Sequence, residues 1–152
     1  MNANQFLNEV LQIIEDSGRG LLATISTNGY PAMRWMNPVF LPGRLFWLYC
    51  ATSKNFPKVA DVGNNPKVSW LFTNQKTGEL YSIRGKIRVI DNPRFSSEII
   101  EELGRRLENF WRLQPDSSQL IVLETEIESG EYFNPKTGEK IQIDNISGEG
   151  KA

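Results

Sequence analysis

Short runs of strand-forming residues recur along this chain, and most gaps between them carry a glycine turn. Leu21 to Thr27 leads into Asn28-Gly29, Pro31 to Leu41 leads into Pro42-Gly43, and Leu45 to Ala51 follows. Lys67 to Thr73 and Leu80 to Ile90 flank Asn74-Gln75-Lys76-Thr77-Gly78. Leu120 to Ile127 precedes a last hairpin, Glu131 to Phe133 with Lys140 to Ile143, around Asn134-Pro135-Lys136-Thr137-Gly138. β-Branched and aromatic runs of this length, closed by turns that accept positive φ, predict antiparallel hairpins, the first three strands forming a meander. Sheet edges attract other strands, and closure removes them. The expected fold is therefore mainly β with helices (α+β), a small antiparallel barrel of six to seven strands, closed or partly split.

Helical periodicity interrupts the strands at three points. Phe6, Leu7, Val10, Leu11, Ile13 and Ile14 repeat at three-to-four spacing before Gly18, so residues 1–18 read as a helix packed on the barrel. Pro57 opens a short helix. Asn92-Pro93 reads as a cap and first turn for a longer one whose face is Phe95, Ile99, Ile100, Leu103, Leu107 and Phe110. Gly85 interrupts the strand residues Ile83, Ile87 and Val89, which points to a bulge or to close approach of another group. The expected organisation is one domain over residues 1–143 and a loose polar tail over 144–152.

Composition removes several classes of chemistry. The 152 residues contain no histidine, which excludes His-ligated zinc, His-ligated haem and imidazole acid/base catalysis. The lone Cys50 lies inside the run Leu45 to Ala51 and reads as a packing residue. With 17 Lys+Arg against 18 Asp+Glu and no long basic tract, no nucleic-acid partner is expected. No metal cluster is expected either. The longest apolar run, Leu45 to Ala51, is too short to span a membrane, and no signal segment is evident, so a cytoplasmic protein is expected.

One cluster carries chemistry. Thr52, Ser53, Lys54 and Lys58 fall within seven residues where a strand gives way to a proline-started helix. Hydroxyls, ammonium groups and unpaired helix N–H groups together suit a phosphate, although a capped helix on a solvated surface would use the same residues. Arg34-Trp35-Met36-Asn37 lies on the preceding strand, with Arg34 and Met36 on one face and Trp35 and Asn37 on the other. If that strand neighbours the one ending at Thr52, Arg34 reaches the same anion.

With these residues in view, the sequence resembles the flavin-binding split-barrel family related to pyridoxamine 5′-phosphate oxidase, and within it the general-stress-protein branch. The resemblance runs from Gly20 to about Ile127. It rests on the Leu21 to Ile25 strand with Asn28-Gly29-Tyr30-Pro31, the Arg34 strand, Thr52-Ser53-Lys54 with Lys58 and Asn65-Pro66, the Gly85 strand, Phe110-Trp111, and Leu120 to Glu124. It implies a homodimer with flavin mononucleotide (FMN) at the subunit interface, the phosphate on Thr52, Ser53, Lys54 and Lys58, and the ring over the backbone of Arg34 to Asn37. Ser82 or Arg84 would reach the ring or ribityl chain, and Trp111 would approach from the partner subunit or serve packing. Ala32 stands where many relatives have histidine, and Leu80 where a glutamine is common. The vitamer-gripping C-terminal arginine and histidine of the oxidase proper have no match, so vitamin B6 oxidation is not expected. The expected function is that of an oxidoreductase acting on a small molecule. A non-catalytic flavin sensor, a deazaflavin-dependent reductase and a cofactor-free barrel that binds a protein are the alternatives, and haem is disfavoured.

Overall fold

The computed structural model describes residues 1–55, 57–106 and 120–147. Helix α1 spans Ala3–Ser17 and is fixed at both ends by its own sequence. The Asn2 side chain accepts from the Gln5 amide at 2.9 Å while the Gln5 side chain accepts from the Asn2 amide at 2.8 Å, a reciprocal capping box. Gly18 closes the helix at φ 75°, where a β-carbon would be strained. The apolar face Phe6, Leu7, Val10, Ile13 and Ile14 is buried.

The strands are β1 (Gly20–Ile25), β2 (Pro31–Met36), β3 (Val39–Leu41), β4 (Arg44–Ser53), β5 (Lys67–Thr73), β6 (Leu80–Val89), β7 (Leu120–Phe133) and β8 (Lys140–Ile143). Helix α2 (Pro57–Asn64) joins β4 to β5, and helix α3 (Pro93–Arg106) follows β6. Hydrogen-bonded neighbours run β2-β1-β5-β6-β7-β4-β3, with β8 added on β7, and all pairs are antiparallel. β2 and β3 are joined only by Asn37-Pro38 yet sit at opposite ends of that order. Only a sheet curled round on itself allows this, so the mainly β split barrel with helices is the fold.

Eight strands are present among the described residues, where six or seven were expected. The run from Pro31 to Leu41 divides at Asn37-Pro38: β2 pairs with β1 from Gly20↔Met36 to Ile25↔Pro31, whereas β3 pairs with β4 through Val39↔Tyr49 and Leu41↔Arg44. The expected three-strand meander is thus replaced by a corner. Pro38 has no N–H to offer a ladder, which suits it to the point where the chain changes partners. Conversely, Leu120 to Ile127 and Glu131 to Phe133 are one strand, β7, which pairs with both β4 and β6. The register between β6 and β7 shifts at Arg84/Gly85. A β-carbon on Gly85 would lie 2.2 Å from the Glu126 carbonyl oxygen, so the glycine permits the close approach that its place in the strand suggested.

The two long hairpins share the sequence pattern Asn-x-Lys-Thr-Gly-Glu and the same turn. Asn74 and Asn134 accept from the amides of Lys76 and Lys136 through their side chains, and Gly78 and Gly138 both adopt φ 78°. The main core lies between α1 and the inner faces of β1 and β4 to β7, and extends to Ile146, which is fully buried. A second cluster of Val39, Tyr49, Ile90, Ile99, Leu103, Leu120 and Val122 lies under α3. Leu107, Phe110 and Trp111 lie outside the described residues.

Candidate functional site

Lys58 and Asp61 are three residues apart on α2, hence on one face of the helix. That face is turned inward at Asp61, which is 8% exposed and whose Oδ1 accepts from the Thr27 amide at 3.2 Å, just beyond the end of β1. Across β1, Arg34 on β2 stands opposite Leu22 and donates through Nη1 to the Leu22 carbonyl at 3.4 Å. Continuing the register, Leu22 faces Trp70 and Trp70 faces Ile83, so Arg34 belongs to the inner row of the sheet.

The electrostatics link these side chains. Burial pulls the Lys58 ammonium below its ordinary range, and the Arg34 guanidinium lowers it further. Burial also lowers Arg34, with Asp61 opposing the effect. Burial pushes the Cys50 thiol up to about 12, against a smaller opposing influence of Lys58. Thr52 is two residues beyond Cys50 on β4, on the same face, and is 4% exposed. Arg34 and Lys58 are thus two partly desolvated cations, and the field of Arg34 reaches Lys58. Each ammonium or guanidinium removed from water favours an anion that replaces its lost hydration, and a second cation strengthens the preference. A phosphomonoester meets that demand with two charges and several acceptor oxygens.

The other residues singled out in the sequence fall elsewhere. Ser53 is on the opposite face of β4 from Thr52, with its hydroxyl accepting from the Asn55 amide at 3.4 Å, and Lys54 is exposed in the turn that follows. Met36 is buried in the core, and Asn37 is exposed at the corner. Trp35 is 59% exposed on the outer face, with the Arg19 guanidinium 4.7 Å from its ring centroid. Ser82 shares that outer face, because the register runs Trp35, Leu21, Leu71, Ser82 across four strands. Ser82 and Arg84 line a small outer cleft with Ser129, Gly130, Glu131 and Gln142. Within one subunit they therefore face away from Arg34 and Lys58. Trp111 lies outside the described residues.

Two members of the inner group went unnoticed in the sequence. Asp61 looks like any acidic residue on a surface helix until its burial is known. Thr24 is 1% exposed on the Leu22 face of β1, and its hydroxyl has no hydrogen-bond partner among the described residues; as a threonine in a strand it carries no local signal.

The sequence model of the pyridoxamine 5′-phosphate oxidase family matches residues 6–134. The chain belongs to this family. No curated protein matches it significantly. Solved structures of the same fold include a protein related to general stress protein 26, of the pyridoxinephosphate oxidase family, from Clostridium acetobutylicum. It has a TM-score of 0.72 and 20% identity over 92% of this chain and 94% of that one. A pyridoxamine 5′-phosphate oxidase-related, FMN-binding protein from Nostoc punctiforme gives 0.69 and 16% identity, covering 89% of this chain and 86% of that one. A haem-binding protein from Mycobacterium smegmatis gives 0.72 and 14% identity, covering 93% of this chain and 59% of that one. Identities this low establish the shared fold. The shared fold thus occurs in proteins described by different ligands, and the residues of this chain must decide what it holds.

Proposed function

We propose that this protein binds FMN and acts as a cytoplasmic flavin-dependent oxidoreductase on a small molecule, as a homodimer with the cofactor at the subunit interface. The observation that carries the proposal is the pairing of Arg34 and Lys58, both partly desolvated, on the inner edge of the barrel. Their chemistry fits a terminal phosphomonoester, with Thr52 on β4 as a hydroxyl donor. Lys54, exposed at the turn, would meet such a ligand from the solvent side. No glycine-rich dinucleotide turn is found in the sequence, which favours the mononucleotide over flavin adenine dinucleotide. Haem, named for the Mycobacterium smegmatis protein, would here have to be held without imidazole.

FMN supplies the redox chemistry when bound, accepting and donating electrons, so the protein's part is binding, orientation and electrostatics. The backbone of Arg34 to Asn37 would lie beside the ring. Trp35, Ser82 and Arg84 lie on the outer face, where a second subunit can bring them to the partner's cofactor. The first experiment is the absorption spectrum of the purified protein before and after incubation with FMN, followed by turnover of a reduced nicotinamide with an added acceptor. A flavin spectrum that survives gel filtration, together with turnover, is expected. A flavin spectrum without turnover favours the non-catalytic sensor. Failure of folded protein to retain FMN removes the flavin assignment and favours a deazaflavin or a cofactor-free barrel.

A further inference from the structure

Arg84, Lys86 and Arg88 alternate along the outer face of β6, and Arg84 stands apart from the other two. Arg88 Nε meets Glu124 at 2.9 Å and Lys86 Nζ meets Glu128 at 3.9 Å, both carboxylates on β7. Arg84 makes no ion pair among the described residues. The cause lies in the ladder. The register between β6 and β7 shifts at Arg84/Gly85, from Arg84↔Ser129 to Gly85↔Ile127, which passes over Glu128 and sets a serine opposite the arginine. Diagonally across, on the same face, is Glu131, whose Oε1 is 3.9 Å from Lys140 Nζ instead. Arg84 and Glu131 are nevertheless walls of one cleft. It has a volume of about 80 Å³ and is completed by Ser82, Ser129, Gly130 and Gln142. Ser82, Glu131 and Gln142 are direct neighbours across β6, β7 and β8, and Gly130 between Ser129 and Glu131 turns its β-carbon position inward to Phe6, which leaves only backbone on the outer side. The cleft thus holds unlike charges apart, with hydroxyls and an amide between them.

We propose that this cleft binds the head group of a small zwitterion, a carboxylate and an ammonium a few atoms apart, as in the amino acid class. The guanidinium of Arg84 offers a carboxylate two parallel charge-assisted hydrogen bonds. Glu131 suits the ammonium, since its long, exposed contact with Lys140 is weak enough to share. The Ser82 and Ser129 hydroxyls and the Gln142 amide can each donate or accept. A dianion would be opposed by Glu131 and a bare cation by Arg84, and the volume suits a head group of a few heavy atoms. The cleft is complete within one subunit, on the face of the sheet opposite Arg34, so this inference does not depend on the flavin reading.

The test is an amide NMR titration of the full chain, as purified, with glycine, β-alanine and 4-aminobutyrate, whose charges stand progressively farther apart, and with acetate, methylammonium and inorganic phosphate. At least one amino acid should give saturable shifts centred on Ser82, Arg84 and Ser129 to Glu131. It should bind about tenfold or more tightly than acetate or methylammonium, each of which lacks one of the two charge-assisted contacts. Arg84→Gln and Glu131→Gln should each weaken that amino acid by about tenfold or more, and Glu131→Gln should leave acetate binding unchanged or tighter. No saturable shift at these residues with any amino acid, acetate or phosphate binding as tightly as the best of them, or an Arg84→Gln variant that binds it as the wild type does, overturns the proposal.

Discussion

Glu124 shows how the setting of a side chain fixes its energetic weight. It is 4% exposed, accepts from the Tyr49 hydroxyl at 2.8 Å and from Arg88 Nε at 2.9 Å, and has Arg44 Nη2 at 3.8 Å. A fully buried ion pair that loses one partner costs about 3–5 kcal/mol, but the Arg88 side chain is 72% exposed and returns to water. Glu124→Ala should therefore cost about 1–3 kcal/mol, the cost of leaving the buried Tyr49 hydroxyl without its acceptor, and urea denaturation would measure it. Gly85→Ala should cost at least about 1–3 kcal/mol, because the group that a β-carbon meets at 2.2 Å is the Glu126 carbonyl, which cannot rotate aside. Cys50 adds a pH dependence. Its thiol is pushed up to about 12 by burial, against an ordinary value of 9.0, so the folded chain keeps a proton that the unfolded chain releases. The associated stability is complete below about pH 9 and is lost as pH rises toward about 12. Urea midpoints of wild type and Cys50→Ala should accordingly differ more at pH 7 than at pH 10, the wild type falling faster. At this scale the sequence exposed the cations, since a lysine and hydroxyls crowded at a helix start already suit an anion. Asp61 and Thr24 stayed hidden because their significance comes from burial, which only the packing of α2 on β1 creates.

Helix α1 is the element whose existence and ends were most legible, because the signals that define it are local. Its six apolar positions and its Gly18 stop act within a turn or two of the residues they fix, whereas the Asn2 and Gln5 capping box that starts it at Ala3 came to light only in the structure. Asn2→Ala should destabilise the protein by about 1 kcal/mol and lower its Tm by about 2–4 °C in a thermal melt. The hairpins around Gly78 and Gly138 were legible for the same reason. The strand from Pro31 to Leu41 was not, because its division depends on two partners, β1 and β4, that are far from each other in sequence. β7 reverses the case. Ser129 and Gly130 look like a break in the sequence, yet pairing with β6 and β8 carries the strand through them. A residue larger than glycine at 130 would meet the Phe6 ring at 2.5 Å, so the small residue lets α1 seat against the sheet.

At the scale of the whole molecule, the curl of the sheet brings together elements that the sequence separates. α2 packs against β1 and β6, Asp61 ties it to the turn after β1, and Arg34 on β2 and Cys50 on β4 both act electrostatically on its Lys58. The outer face presents Met33 and Trp35 in rows continuous with Leu21, Ala23 and Leu71, an apolar stretch that association with a second copy would cover. Sedimentation velocity across a concentration series should therefore show a homodimer, and Trp35→Glu should shift it toward monomer by placing a charge in the contact; a wild-type monomer at every concentration would contradict this. If the site holds a flavin phosphate, as proposed, its preference for phosphate should depend on Arg34 and Lys58 together. The most direct test is a paired titration of FMN and riboflavin against wild type, Lys58→Ala and Arg34→Gln, followed by flavin fluorescence. A charge-assisted hydrogen bond contributes about 1.5–3 kcal/mol, so each variant should lose roughly tenfold to a hundredfold in FMN affinity while riboflavin binding stays unchanged. Equal affinity of the wild type for the two flavins, or variants that bind FMN as tightly as the wild type, would contradict the assignment of Arg34 and Lys58 to the flavin phosphate.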